Sequence, residues 1–140
     1  MNIKLKNKIN FNYDKPPLLI AEISCNHNGR RNSFLKHIFK AAKSGADLIK
    51  IQSYEAIDMT FRSADKKFII NKGLWEKKNL WNLYKKAQTP FKWHQEAFNL
   101  SKKINVPIFS TPFSIRAVDM LEKLKTPLYK IASFEITDLK

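Results

Sequence analysis

Glycine is nearly missing from this chain, with three in 140 residues. Dinucleotide- and nucleotide-binding folds cradle phosphates on glycine-rich loops placed directly after a strand. No strand-like segment here is followed by such a loop, so those classes are excluded. Cysteine occurs once, as Cys25, which rules out an internal disulfide and fits a reducing compartment. No run approaches the roughly 18 consecutive apolar residues that a membrane helix requires. The first segment, MNIKLKNKINFNY, alternates lysine with apolar residues where a signal peptide carries an apolar block. A cytoplasmic protein with no membrane partner is the expectation. Acidic residues are scarce, 12 against 26 basic, and the resulting net charge of +14 admits nucleic acid, an anionic surface or a phosphorylated small molecule as partner. The pairs Lys66-Lys67, Lys77-Lys78, Lys85-Lys86 and Lys102-Lys103 are scattered and mixed with Asp65, Glu76 and Glu96, as on solvated helix and loop surfaces. No zinc-finger spacing, recognition helix or aromatic RNA-binding signature accompanies them, so nucleic acid is not an expected partner.

What the chain does have is a regular succession of short apolar runs and helical periodicities. Residues 2–13 read as a small hairpin, an N-terminal extension reaching residue 16 before the domain that occupies 17–140. Leu18 to Ser24 reads as a strand, and Ser33 as the cap of a helix carrying Leu35, Ile38 and Ala42 inward up to Gly45. The run DLIKIQ at 47–52 is a second strand. An irregular loop from Ser53 to Gly73 follows, long enough to be suspected of function, and then a short helix through Leu80, Tyr84 and Ala87. Thr89-Pro90 reads as a capping hydroxyl with proline in the first helical position, before a helix whose buried face is Trp93, Ala97, Leu100 and Ile104. Val106 to Ser110 is a third strand. A helix with Leu121 and Leu124 inward comes next, and LYKIAS at 128–133 is a fourth strand. Strand and helix alternating in this way imply right-handed crossovers and a parallel sheet covered by helices. Without a glycine-rich phosphate loop, a β/α barrel is favoured over an open doubly wound sheet. Eight β/α units need about 250 residues, so the expected fold is α/β, about four units or the first half of a (β/α)8 barrel.

Two of the strand-like runs contain a lysine. In LIKIQ, Leu48, Lys50 and Gln52 share one face and Ile49 and Ile51 the other, because side chains alternate along a strand. With the isoleucines under the helices, Lys50 and Gln52 point into the barrel near its carboxyl end, where β/α barrels place active sites. A buried ammonium needs a partner, which is either a carboxylate such as Glu22, inward by the same parity, or a bound anion. Lys130 repeats the pattern in the fourth strand, with Ser133 and Glu135 just beyond it. Thr111 and Ser114 stand at the same end of the third strand, beside Ser110. Lysines and hydroxyls converging on one rim form a cradle for phosphate or carboxylate. A Schiff-base lysine, attacking a carbonyl as in barrel aldolases, fits the same parity. Cys25 reads as a small, partly buried residue, His37 as a surface residue and His94 as a packed one. Trp75, Trp81 and Trp93 read mostly as packing residues.

The blocks LLIAEISCNHNG, SGADLIKIQSY, IFSTPFS and YKIASFEITDL, in this order and spacing, resemble the N-terminal half of the sialic acid synthase family, N-acetylneuraminate synthase-like enzymes. NKGLW followed by LWNLYKKAQTPFKWH resembles its pseudaminic acid synthase branch more than the N-acetylneuraminate or legionaminate branches. The resemblance implies an enzyme that condenses phosphoenolpyruvate with an N-acetylated amino-sugar aldehyde to give a nonulosonic acid and phosphate. It places phosphoenolpyruvate on Lys50, Thr111, Lys130 and Ser133, a catalytic carboxylate at Glu22, and sugar contacts at Gln52 and His27. It also implies a divalent ion, manganese or magnesium, whose histidine ligands belong to a part of the family absent from this chain, together with an antifreeze-like domain. Such enzymes pair as homodimers. The 140-residue chain by itself is therefore expected to be an inactive fragment. A non-catalytic, basic anion- or nucleic-acid-binding module is the alternative from another class.

Overall fold

A computed structural model describes residues 2–5, 9–12 and 14–139. The N-terminal strands β1 (Asn2–Leu5) and β2 (Ile9–Asn12) pair antiparallel, with Asn2 opposite Asn12, as the alternating sequence predicts; residue 13 lies outside the described residues. The main sheet is parallel and runs in the order β3 (Ile20–Glu22), β4 (Leu48–Ser53), β5 (Ile108–Pro112). Its register sets Glu22 beside Lys50, Lys50 beside Phe109, and Gln52 beside Thr111.

The first strand is shorter than expected because Ser24 turns into the left-handed region at φ 48°, which ends the extended backbone one residue after Ile23 donates to the Lys50 carbonyl at 2.9 Å. The fourth strand is reduced to a single parallel bridge, Tyr129 to Ser110, with Lys130 N donating to Ser110 O at 3.1 Å. Proline at 127 removes a donor just before it, and Tyr129 and Ile131 stand exposed, so little burial extends the pairing.

Helix α1 (Arg31–Lys43) begins two residues ahead of Ser33, and Arg30 at the capping position makes no side-chain cap. The turn that sets its start is backbone, Arg30 N to His27 O at 3.0 Å, and the Arg31–Glu96 ion pair holds that end against the fourth helix. Within the loop after β4, α2 (Ala56–Met59) closes on a capping box in which Glu55 N donates to Asp58 at 2.7 Å. A 3-10 turn at Lys66–Phe68 follows, so this stretch is more ordered than its weak periodicity suggests. Asn79 caps α3 (Leu80–Ala87). For α4 (Phe91–Ile104), Pro90 occupies the capping position, so the helix begins one residue later than predicted, and the Thr89 hydroxyl turns inward. Ser114 caps α5 (Ile115–Lys123) by accepting from Ala117 N at 3.3 Å.

All three longer helices lie on one face of the sheet. Ile23, Ile49, Ile51 and Ile108 meet Phe34 and Ile38 of α1, Trp93, Ala97 and Phe98 of α4, and Leu121 of α5 in one core. Fully burying each such side chain stabilises the fold by about 1.5–3 kcal/mol. On the other face, Leu48 and Phe109 are covered only by Leu18 and Leu128 among the described residues. A doubly wound sheet would carry helices on both faces; one helical face and one inward face is the arrangement of a barrel wall.

Candidate active site

The inward face carries the polar side chains that parity assigns to it. Lys50 forms an ion pair with Glu22, the two side chains being 18% and 35% exposed. The other Glu22 oxygen accepts from Ser24 N at 2.9 Å and from Ser24 Oγ at 3.0 Å, so the tight turn that ends β3 also orients the carboxylate. Burial, and then the positive charge of Lys130, push the Lys50 ammonium below the ordinary lysine range, while the adjoining carboxylate works in the opposite sense. Lys130 itself is exposed, as is Ser133 three residues on. The parallel bridge between Tyr129 and Ser110 sets Lys130 on the same face of the sheet as Lys50.

Thr111, the cross-strand neighbour of Gln52, is buried, and its Oγ1 has no hydrogen-bond partner among the described residues. An unsatisfied buried hydroxyl costs roughly 1–3 kcal/mol, so its persistence marks a position suited to a ligand oxygen. Gln52 is half-buried, and its Oε1 accepts from Cys25 Sγ at 3.4 Å; that sulfur also lies 3.1 Å from Tyr54 Oη. Burial pushes both the Cys25 thiol and the Tyr54 phenol above their ordinary ranges, so both stay protonated at neutral pH.

Several sequence assignments change here. His27 lies on the helical side of the sheet, apart from Lys50 and Gln52: it is fully buried, its Nδ1 accepts from Gly29 N at 3.0 Å, its Nε2 meets Thr89 Oγ1 at 3.2 Å, and its ring packs edge-on to Phe34 and Trp93. Burial lowers its pKa and keeps it neutral. Ser114 is a helix cap, and Ser110 points to the helical face. There Ser53 Oγ bridges His94 Nε2 at 2.7 Å and Ser110 Oγ at 2.6 Å, a buried network directly behind Gln52 and Thr111 that the sequence reading overlooked. Its signal was available, since Ser53 and Ser110 occupy the same alternating positions as Ile51 and Ile108. A serine in an otherwise apolar row needs a partner. His94 is packed as expected, and burial pushes its pKa down to about 4.

No three His, Cys, Asp or Glu side chains converge as a metal set among the described residues. The described residues therefore do not fit the divalent ion that the family resemblance implies.

A parallel strand array with helices on one side and polar side chains on the other defines the wall of a β/α barrel. Residues 37–140 match the NeuB family, and the chain belongs to that family. It is 48% identical over 89% of its length to the pseudaminic acid synthase of Helicobacter pylori and 44% identical over 92% to that of Campylobacter jejuni. To the N,N'-diacetyllegionaminic acid synthase of Campylobacter jejuni it is 38% identical over 89%. In these comparisons it spans 37–38% of the relatives' length. Among solved structures, the N-acetylneuraminic acid (sialic acid) synthetase of Leptospira borgpetersenii, in complex with citrate, superposes with a TM-score of 0.80 at 29% identity, covering 99% of this chain and 44% of that one. The three-stranded sheet is thus part of a (β/α)8 barrel of sialic acid synthase type.

Proposed function

We propose that the chain carries the phosphoenolpyruvate half of a nonulosonic acid synthase, of the pseudaminic acid type. The reading rests on the paired Lys50, on Lys130 set to the same face by the Ser110–Tyr129 bridge, and on the buried Thr111 hydroxyl, which has no hydrogen-bond partner among the described residues. Phosphoenolpyruvate brings a phosphate and a carboxylate, both matched by ammonium and hydroxyl donors. In the proposed reaction the methylene carbon of phosphoenolpyruvate forms a bond to the aldehyde carbon of an N-acetylated amino sugar, whose oxygen becomes a hydroxyl. Water then adds to the cationic carbon left behind, and phosphate departs with its C–O bond broken.

Lys50, Lys130, Thr111 and Ser133 hold the anion, and Gln52 contacts the sugar. Glu22, held by Lys50 and Ser24, is the carboxylate beside the reacting carbonyl. Orientation of the two substrates against one wall supplies much of the rate. In the whole enzyme, which the proposal takes to be a homodimer, the remaining strands and the ion would complete the site.

Replacing Lys50 and Lys130 by methionine tests this. Each change is expected to weaken binding of phosphoenolpyruvate to the chain at least tenfold in calorimetric titration and to leave its affinity for a short DNA duplex within about twofold. Small, equal losses for both ligands would make the site nothing more than part of a basic surface. A lysine adduct trapped by borohydride with a carbonyl substrate would instead favour Schiff-base chemistry.

A further inference from the structure

Gln52 has two faces, a carbonyl that accepts hydrogen bonds and an amide that donates them, and which one meets the inner space decides what can bind there. Cys25 has one thiol proton, directed to Gln52 Oε1 at 3.4 Å. With that proton committed, the hydrogen of Tyr54 Oη, 3.1 Å from the same sulfur, must be the one donated in the second contact. The relay therefore runs from the Tyr54 hydroxyl to the Cys25 thiol to the Gln52 carbonyl.

Tyr54 is fixed in turn: it is 3% exposed, and its ring meets those of Tyr84 on α3 and Phe113 after β5 edge-on, with centroids 6.0 and 5.7 Å away. A tyrosine wedged this way has no freedom to follow the amide, so the amide follows it. The Gln52 carbonyl is thereby occupied on the protein side. Its NH2 group remains for the inward face, where the neighbouring side chain in register is Thr111, buried and without a hydrogen-bond partner among the described residues.

We infer that Tyr54 and Cys25 are positioning residues that hold Gln52 as a donor only, so that this corner of the site selects a ligand oxygen with free lone pairs, such as an acetamido carbonyl or a sugar hydroxyl. A ligand group that can only donate, such as an ammonium or an N–H, is rejected at this position because it finds no acceptor. The inference rests on Gln52 being the sugar contact of the proposed function, and adds the polarity of that contact and the residues that set it.

The test reads the amide directly in the 15N-labelled chain, with the Gln52 side-chain signals identified by their loss in Gln52→Ala. The expected result is a cross-relaxation contact from the Gln52 NH2 protons to the Thr111 methyl and none to the Cys25 β-protons. Cys25→Ala should move the NH2 signals toward those of a free glutamine and abolish that contact, and Cys25→Ser, which restores a donor, should bring both back. Contacts from the NH2 protons to Cys25 or to the Tyr54 ring in the unmodified chain would overturn the inference, as would signals unmoved by Cys25→Ala. Should Cys25→Ala fail to fold, Tyr54→Phe removes only the distal hydroxyl; a shift in the same direction supports the relay, and no shift overturns it.

Titration with N-acetylmannosamine separates the two layers. Cys25→Ala is expected to weaken it about fivefold, the loss of one hydrogen bond. A reoriented amide with unchanged sugar affinity would leave the positioning role standing and remove the sugar contact from the proposed function.

Discussion

Thr111 shows how much a single hydroxyl can reveal. Valine has nearly its shape and no polar atom, so Thr111→Val removes an unsatisfied group at little steric cost. Stability to urea is expected to stay level or rise by about 1 kcal/mol, while phosphoenolpyruvate binding falls at least fivefold. A variant that lost stability and kept its affinity would make Thr111 a structural residue. Parity along the strands places Glu22, Lys50 and Gln52 on one face from the sequence alone, because alternation is a property of the extended backbone, whereas Thr111 was legible only as a residue at the end of the third strand. That Lys50 is already paired with Glu22 was open in the sequence, since parity says which residues share a face and nothing about which atoms touch. His27 shows the opposite failure. Its place at the end of β3 suggested the rim, but the left-handed turn at Ser24 carries it under the sheet, between Phe34 and Trp93.

Helix α4 is tied to the sheet by the His94, Ser53 and Ser110 network. Burial holds His94 at a pKa of about 4, below its ordinary value of 6.5. Between these values the unfolded chain binds the proton and the folded chain does not. Stability is therefore full above pH 6.5, falls as pH drops toward 4 by roughly 3 kcal/mol in all, and levels off below. Urea denaturation at pH 7 and pH 5 reads the difference, and His94→Gln should flatten that slope.

The ion pairs of Arg116 in α5 with Glu55 and Asp58 join two successive β/α loops across the rim. Arg116→Met is expected to speed amide exchange at Asp58 and Thr60, whose N–H groups close α2, without changing exchange in β4. Equal acceleration throughout the sheet would mean that the contact supports the whole fold. The apolar periodicities of α1, α4 and α5 were legible along the chain. Their starts were less so: Ser33 and Thr89 both look like caps, yet the burial of Phe34 and the His27–Thr89 contact set the boundaries instead.

At the scale of the molecule, the surplus of 26 basic over 12 acidic residues makes self-repulsion a standing cost of the compact state. Screening shortens from about 10 Å in 0.1 M salt to about 3 Å in 1 M. The melting temperature is therefore expected to rise by a few degrees across that range of sodium chloride, since exposed ion pairs such as Lys67–Asp65 add little to oppose it. A fall would mean that ion pairs outweigh repulsion. By itself the sequence determined the order of strands and helices, the parallel sheet and the face on which Glu22, Lys50 and Gln52 lie. These follow from short-range periodicity and chain connectivity. Only the tertiary structure decided that Glu22 neutralises Lys50, that Thr111 has no hydrogen-bond partner among the described residues, that His27 is packed under the helices and that Tyr54 reaches Cys25. Those outcomes depend on contacts between residues far apart in the chain, whose distances are set by how the helices pack.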